Sequence, residues 1–97
     1  MYLEIVSPEA TLFSSEIDSI AVPGVNGEFQ ILDNHASIVS VLKEGVIKIH
    51  THTKSHLVFD TLHSEVIPFH DDDKILTLQI KSGTLEMKDN KVIVLVD

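Results

Sequence analysis

The chain has 97 residues, of which 43% are hydrophobic, and 15 acidic against 7 basic side chains give it a formal net charge of −8. That length makes one domain, burying somewhat over roughly 60% of its unfolded surface, and the acidic balance argues against nucleic acid or an anionic membrane surface as partner. No cysteine is present, which excludes disulfides, thiolate catalysis and cysteine-ligated metals.

Residues 2–7 alternate, with Leu3 and Ile5 on one face and Tyr2, Glu4 and Val6 on the other, and period two predicts a strand. Ser7-Pro8-Glu9 ends it, because proline cannot donate to a ladder. Extended character returns over 11–13 and 17–22, and Pro23-Gly24 is expected to break the chain. The stretch that follows has glycines at 24 and 27, which permit positive φ, and an Asp33-Asn34 pair suited to a turn. It reads as a loop, a short strand, a tight turn and a second strand. Residues 37–42 are apolar and β-branched and close on Gly45, so a strand is preferred there over a helix.

Residues 46–53 alternate, with Ile47 and Ile49 inward and Lys48, His50 and His52 outward. Thr53-Lys54-Ser55-His56 suits a hairpin turn before a run at 57–62. A short extended piece at 65–69 is interrupted by Pro68, and His70-Asp71-Asp72-Asp73 reads as a solvated loop. Residues 74–81 alternate cleanly, and a closing hairpin pairs 85–87 with 92–96 around Asp89-Asn90. About ten short strands without a helix predict an all-β, antiparallel sandwich or barrel. Its core is expected to include Leu3, Ile5, Ile20, Val22, Ile47, Ile49, Leu76, Leu78, Leu85 and Met87.

Chemistry is sparse. His50 and His52 stand two apart on a strand, and His56 and His63 could join them across a hairpin to hold zinc or copper. The plainer reading is an exposed polar face, since Lys48 shares it and no carboxylate is placed to orient the rings. The aspartates at 71–73 lack the spacing of a calcium loop. No Gly-x-Ser-x-Gly elbow occurs, no Gly-Lys-[Ser/Thr] follows the glycines, and Glu28 and His35 read as two exposed loop residues rather than an acid/base pair. No apolar run approaches the roughly 20 residues of a membrane span, and Met1-Tyr2-Leu3-Glu4 lacks the basic region of a secretory signal. The chain is expected to act where it is made and to meet a membrane only through a protein. A binding or coupling module is favoured over an enzyme.

Several segments, in order, resemble one family. They are Leu3-x-Ile5-Val6-Ser7-Pro8-Glu9 with Leu12-Phe13, Gly24 with Gly27-Glu28-Phe29-x-Ile31, His35-Ala36, Leu42-Lys43-x-Gly45-x-Ile47, and Ser82-Gly83-x-Leu85-Glu86-Met87 before Val92-x-Val94-Leu95. Together they are similar to the epsilon subunit of the bacterial F-type ATP synthase, called delta in mitochondria. Two departures stand out. Asp33-Asn34 and Ser37-Ile38-Val39 replace the family's Pro-Gly and Pro-Leu-Leu, and the segment 51–73 intervenes where the family passes quickly between strands.

The resemblance implies a ten-stranded sandwich spanning 1–97, with a family-atypical insertion at about 51–73 that is expected to be structurally dispensable. It implies a non-catalytic subunit of the central stalk, without cofactor or metal, that links the gamma subunit to the membrane rotor ring. The site would be a peripheral one on the cytoplasmic face of the bacterial inner membrane. By family position Gly27, Glu28, Phe29, Asn34 and His35 face the rotor ring, while Ser7 and Ser40 lie towards gamma. Relatives continue into a helical hairpin that can block rotation or bind ATP. Because the chain stops at Asp97, neither property is expected of it. The alternative is a free-standing sandwich that binds a metal or small ligand through the histidine-bearing hairpin.

Overall fold

The computed structural model of the protein describes residues 1–51, 66–69 and 72–97, the backbone alone at 66–69, 72 and 73. Ten strands are described: β1 (Tyr2–Val6), β2 (Thr11–Glu16), β3 (Ser19–Gly24), β4 (Gly27–Leu32), β5 (Ile38–Leu42), β6 (Gly45–His50), β7 (Val66–Phe69), β8 (Asp72–Ile80), β9 (Gly83–Lys88) and β10 (Lys91–Val96). They hydrogen-bond in the order β2-β1-β10-β9-β5-β3-β6-β8-β7, with β4 on β3. All these pairings are antiparallel except β1 with β10, where Leu3 lies beside Val92 and Ile5 beside Val94. Between β5 and β3 the ladder narrows to the single pair Gly24–Leu42. The sheet turns its corner there. On one side lie β2-β1-β10-β9-β5, on the other β4-β3-β6-β8-β7, and one apolar cluster drawn from both halves fills the space between. This is the all-β sandwich that the alternation predicts.

All ten residues expected inside are 2% exposed or less. Strict alternation fails in one instructive place. Val6 pairs with Thr11 and Ile5 with Phe13, so Leu12 is an extra residue in β2. Such a bulge turns two consecutive side chains inward, and Leu12 and Phe13 are both buried.

Three local expectations change. Pro23-Gly24 does not break the chain: β3 runs through both residues and the turn is Val25-Asn26. Proline is tolerated there because β6 has already left β3 after Ala21, so no ladder donor is required of it. Its carbonyl instead accepts from Lys43 N–H at 2.8 Å. Glu28 lies not in a loop but in β4, opposite Pro23. Asp72 and Asp73 belong to β8 rather than to a loop. The Asp89-Asn90 hairpin forms as expected. Both residues take positive φ (53° and 62°), the pattern of a type I′ turn between Lys88 and Lys91.

Candidate docking surface

The seven residues singled out from the sequence fall into separate regions. Gly27 opens β4 at φ 123°, a conformation suited to glycine, and open space surrounds the place where a Cβ would stand. Glu28 is exposed beside it, and Phe29 lies half-buried against the core opposite Val22. These three line a groove with Val25, Ile38, Val39 and Ser40. Ser40 is half-buried, and its hydroxyl donates to the Val41 carbonyl at 3.4 Å. The hairpin tip and β5 therefore form one continuous surface.

Ser7 has a local job. Its Oγ accepts from the Ala10 N–H at 3.2 Å while its own N–H donates to the Ala10 carbonyl at 2.8 Å, closing the β1–β2 turn. Register places that turn at the same end of the sandwich as the Gly24–Gly27 tip. Val6 lies beside Leu95, Leu95 beside Thr84, Thr84 beside Val41, and Val41 accepts from Val25 N–H.

Asn34 and His35 lie elsewhere. Six-residue β4 separates them from Gly27 by five steps of about 3.3 Å, or roughly 17 Å. At that far end three loops are tied together. The Met1 α-amino group donates to Asp33 Oδ1 at 2.7 Å and to Glu16 Oε2 at 3.3 Å. Asn90 Nδ2 also donates to Asp33 Oδ1, and Asn90 Oδ1 accepts from Asn34 N–H at 2.8 Å. The Asp33 hydrogen bond, opposed by desolvation and aided by Glu16, holds the amine's pKa above its ordinary value. The amine, then Asn90, lowers that of Asp33. His35 is exposed, with Nδ1 donating to the Ala36 carbonyl at 2.7 Å. A strand thus stands between the two parts of the expected rotor-facing set.

One feature was missed in the sequence. On the outer face of the β5-β9-β10-β1 half, Val39, Val41 and Leu95 are 74%, 57% and 53% exposed. Register extends this into two rows, Val41-Thr84-Leu95-Val6 and Val39-Glu86-Ile93-Glu4. The signal was available: residues 38–42 and 92–96 are apolar almost without alternation. A strand with one face in the core must then carry apolar side chains outward on the other. Large apolar side chains left exposed on one face of a small domain, here interleaved with Thr84 and Glu86, suit an interaction surface.

Among the described residues no group of three histidine, cysteine or acidic side chains could hold an ion, and every buried side-chain polar atom has a partner. His50 is half-buried at the end of β6 beside Lys48, lining a groove with Ala21, Gln30 and Ile75. His52, His56 and His63, on which the histidine-hairpin alternative depends, lie outside the described residues. No helix among the described residues is long and apolar enough to cross a membrane.

These features define a two-layer β-sandwich domain with an open hairpin tip. Residues 1–60 match the family model described as the ATP synthase delta/epsilon chain, beta-sandwich domain. The chain belongs to that family. It is 38% identical over 97 residues to the ATP synthase epsilon chain of Campylobacter fetus subsp. fetus, covering all of this chain and 60% of that one. It is 46% identical over 56 residues to that of Campylobacter curvus, covering 58% and 43%. Against Leptospira borgpetersenii the figures are 33% over 95 residues, covering 98% and 59%. The chain thus spans about half of the length of these relatives. Among solved structures it resembles a chain of the Euglena gracilis mitochondrial ATP synthase OSCP/F1/c-ring assembly, with TM-score 0.71, 16% identity, and 97% and 48% coverage. A chain of the Tetrahymena thermophila mitochondrial ATP synthase central stalk/c-ring assembly gives TM-score 0.67, 12% identity, and 98% and 61% coverage. At those identities the likeness shows the fold.

Proposed function

We propose that this domain is a non-catalytic rotor element of a proton-translocating F-type ATP synthase, joining the gamma subunit to the membrane rotor ring. The reading rests on one observation: exposed apolar side chains, Val39, Val41 and Leu95, on the outer face of one half of the sandwich, interleaved with Thr84 and Glu86, in a chain of the epsilon family. That face, with Ser7 at its end, docks gamma, and Ser40, whose side chain alternation turns to the other side of β5 opposite Leu85, lines the groove next to it. The tip formed by Gly27, Glu28 and Phe29 meets the polar loops of the ring. Asn34 acts by holding the opposite end together through Asn90, and His35 stands exposed beside it, a whole strand away from the tip. A rigid antiparallel block suits torque transmission, and a net charge of −8 steers it towards basic partner surfaces. In this role the domain sits on the cytoplasmic face of a bacterial inner membrane, attached through protein.

The test is co-purification of gamma with the wild-type chain and with a Val39→Asp/Val41→Asp variant. Central interface positions cost about 2 kcal/mol or more when disrupted. Both side chains are solvent-exposed, so the variant should melt like wild type while losing gamma. Undiminished capture of gamma would refute the docking face.

A further inference from the structure

The chain contains three asparagines, at 26, 34 and 90, and their surroundings differ sharply. Asn34 Nδ2 donates to Asp33 Oδ2 at 3.2 Å, and Asn90 uses both ends of its amide, on Asp33 and on Asn34 N–H. Histidine and lysine follow them, so a side chain shields the next backbone nitrogen. Asn26 is the opposite case. It is exposed at the hairpin tip, no hydrogen bond holds its side chain among the described residues, and Gly27 follows it. Apart from Gly27 and its two chain neighbours, no described atom lies within 4 Å of where a Gly27 Cβ would stand.

We propose that Asn26 is a site of spontaneous deamidation, which converts the hairpin tip to a more acidic form as the protein ages. The Gly27 backbone nitrogen, having lost its proton, attacks the Asn26 side-chain carbonyl carbon. A bond forms between that nitrogen and Cγ, the Cγ–Nδ2 bond breaks, and ammonia leaves with the transferred proton. Water then opens the cyclic imide on either side, leaving aspartate or its backbone-extended isomer. The sum is an amide plus water giving a carboxylate, ammonium and no redox change. Gly27 is paired with Gly24 across the turn, so fraying of the tip controls the rate. The tip has the means to fray, since the turn is two residues long and Gly27 carries no side chain to pack.

The consequence for docking rests on the rotor-facing reading above. Deamidation places a second carboxylate two residues from Glu28 and makes the chain one unit more negative. An isoaspartyl linkage also lengthens the backbone within the tightest turn of the surface.

The experiment incubates the purified chain at neutral and at mildly alkaline pH, then maps its peptides by mass spectrometry and by enzymatic labelling of isoaspartate. Product is expected at Asn26, faster at the higher pH, with Asn34 and Asn90 unchanged. Gly27→Ala should slow it several-fold. If that variant does not fold, Asn26→Gln, which must close a larger ring, replaces it as the slow control. No product at Asn26, or equal conversion at all three asparagines, overturns the proposal. Binding of Asn26→Asp to a reconstituted rotor ring is measured separately. If product accumulates at Asn26 but Asn26→Asp binds the ring as wild type does, the modification stands and the ring-facing role of the tip falls.

Discussion

The two ends of the sandwich are built on different principles. At one, the Met1 amine, Asp33, Asn34 and Asn90 cross-link loops that are far apart in sequence, and Met1 itself is buried. At the other, β3 returns into β4 through Val25-Asn26, beside a groove and with Val25 more than half exposed. Polar cross-links fix one end in shape, whereas the other presents side chains to whatever approaches. The contrast separates residues that hold the domain from residues that can meet a partner.

Matched asparagine substitutions would break or confirm this contrast most directly. Asn90→Ala removes two hydrogen bonds and places alanine at a φ of 62°. Lost bonds of about 1 kcal/mol each predict a destabilisation of about 2 kcal/mol, or a fall in Tm of roughly 10 °C for a domain of this size. Asn26→Ala removes no hydrogen bond among the described residues and should stay within about 0.5 kcal/mol. Equal effects in thermal melts would mean that the two ends are not held differently.

A smaller effect is expected from the segment 51–73, which we propose to be an extension of the family fold. The structure narrows what can be removed. Thr51 is buried, and both its N–H and its hydroxyl donate to the Lys74 carbonyl, at 2.8 and 3.0 Å. Thr51 therefore extends the β6–β8 contact and must stay. So must β7 (Val66–Phe69), which pairs with β8 along Leu76–Leu78. Replacing 52–65 with a short turn should leave a folded domain that retains gamma, since closure entropy changes by only about 0.6 kcal/mol per doubling of loop length. An insoluble product would show that the segment supplies core.

Most of the fold was legible because alternation reports burial directly, as the ten buried residues from Leu3 to Met87 illustrate. What escaped was set by distant neighbours. The inward turn of both Leu12 and Phe13 depends on a bulge against β1, and the fate of Pro23 depends on where β6 stops. The parallel pairing of β1 with β10 joins the two ends of the chain, and no local pattern announces it. At the candidate surface, Glu28 and Phe29 were visible from the motif around Gly27. The distance from them to Asn34 was not, because spacing in sequence does not say that a whole strand lies between. The apolar outer face escaped because residues 38–42 and 92–96 lack the alternation that would say which side chains face outward.

Glu28→Lys sharpens the tip side of the comparison. Its side chain is exposed in β4, so stability should change by no more than about 0.5 kcal/mol. If the tip meets basic loops of the ring, reversing this charge should slow association and reduce the coupling of ATP hydrolysis to proton pumping. Wild-type coupling in reconstituted vesicles would remove Glu28 from the contact.

The smallest effect concerns the opposite end and follows from its two shifted groups. The amine's pKa is raised in the folded chain, so its contribution is complete below its ordinary value and is lost as pH rises through the folded value. Asp33 is lowered, so its contribution is present above its ordinary value and is lost as pH falls through the folded one. The ion pair therefore acts only in the window between them, where the amine is charged and the carboxyl ionised. Asp33 is exposed, and salt should weaken the pair further. Asp33→Asn keeps the shape but removes the charge. Its difference from wild type in hydrogen exchange at the Asn34 amide should be largest near neutral pH, and should shrink towards both the acid and the alkaline limit. It should also shrink in high salt. A difference that stays constant across the pH range would show that the amide geometry of Asn34 and Asn90, rather than the Met1 ion pair, closes this end of the sandwich.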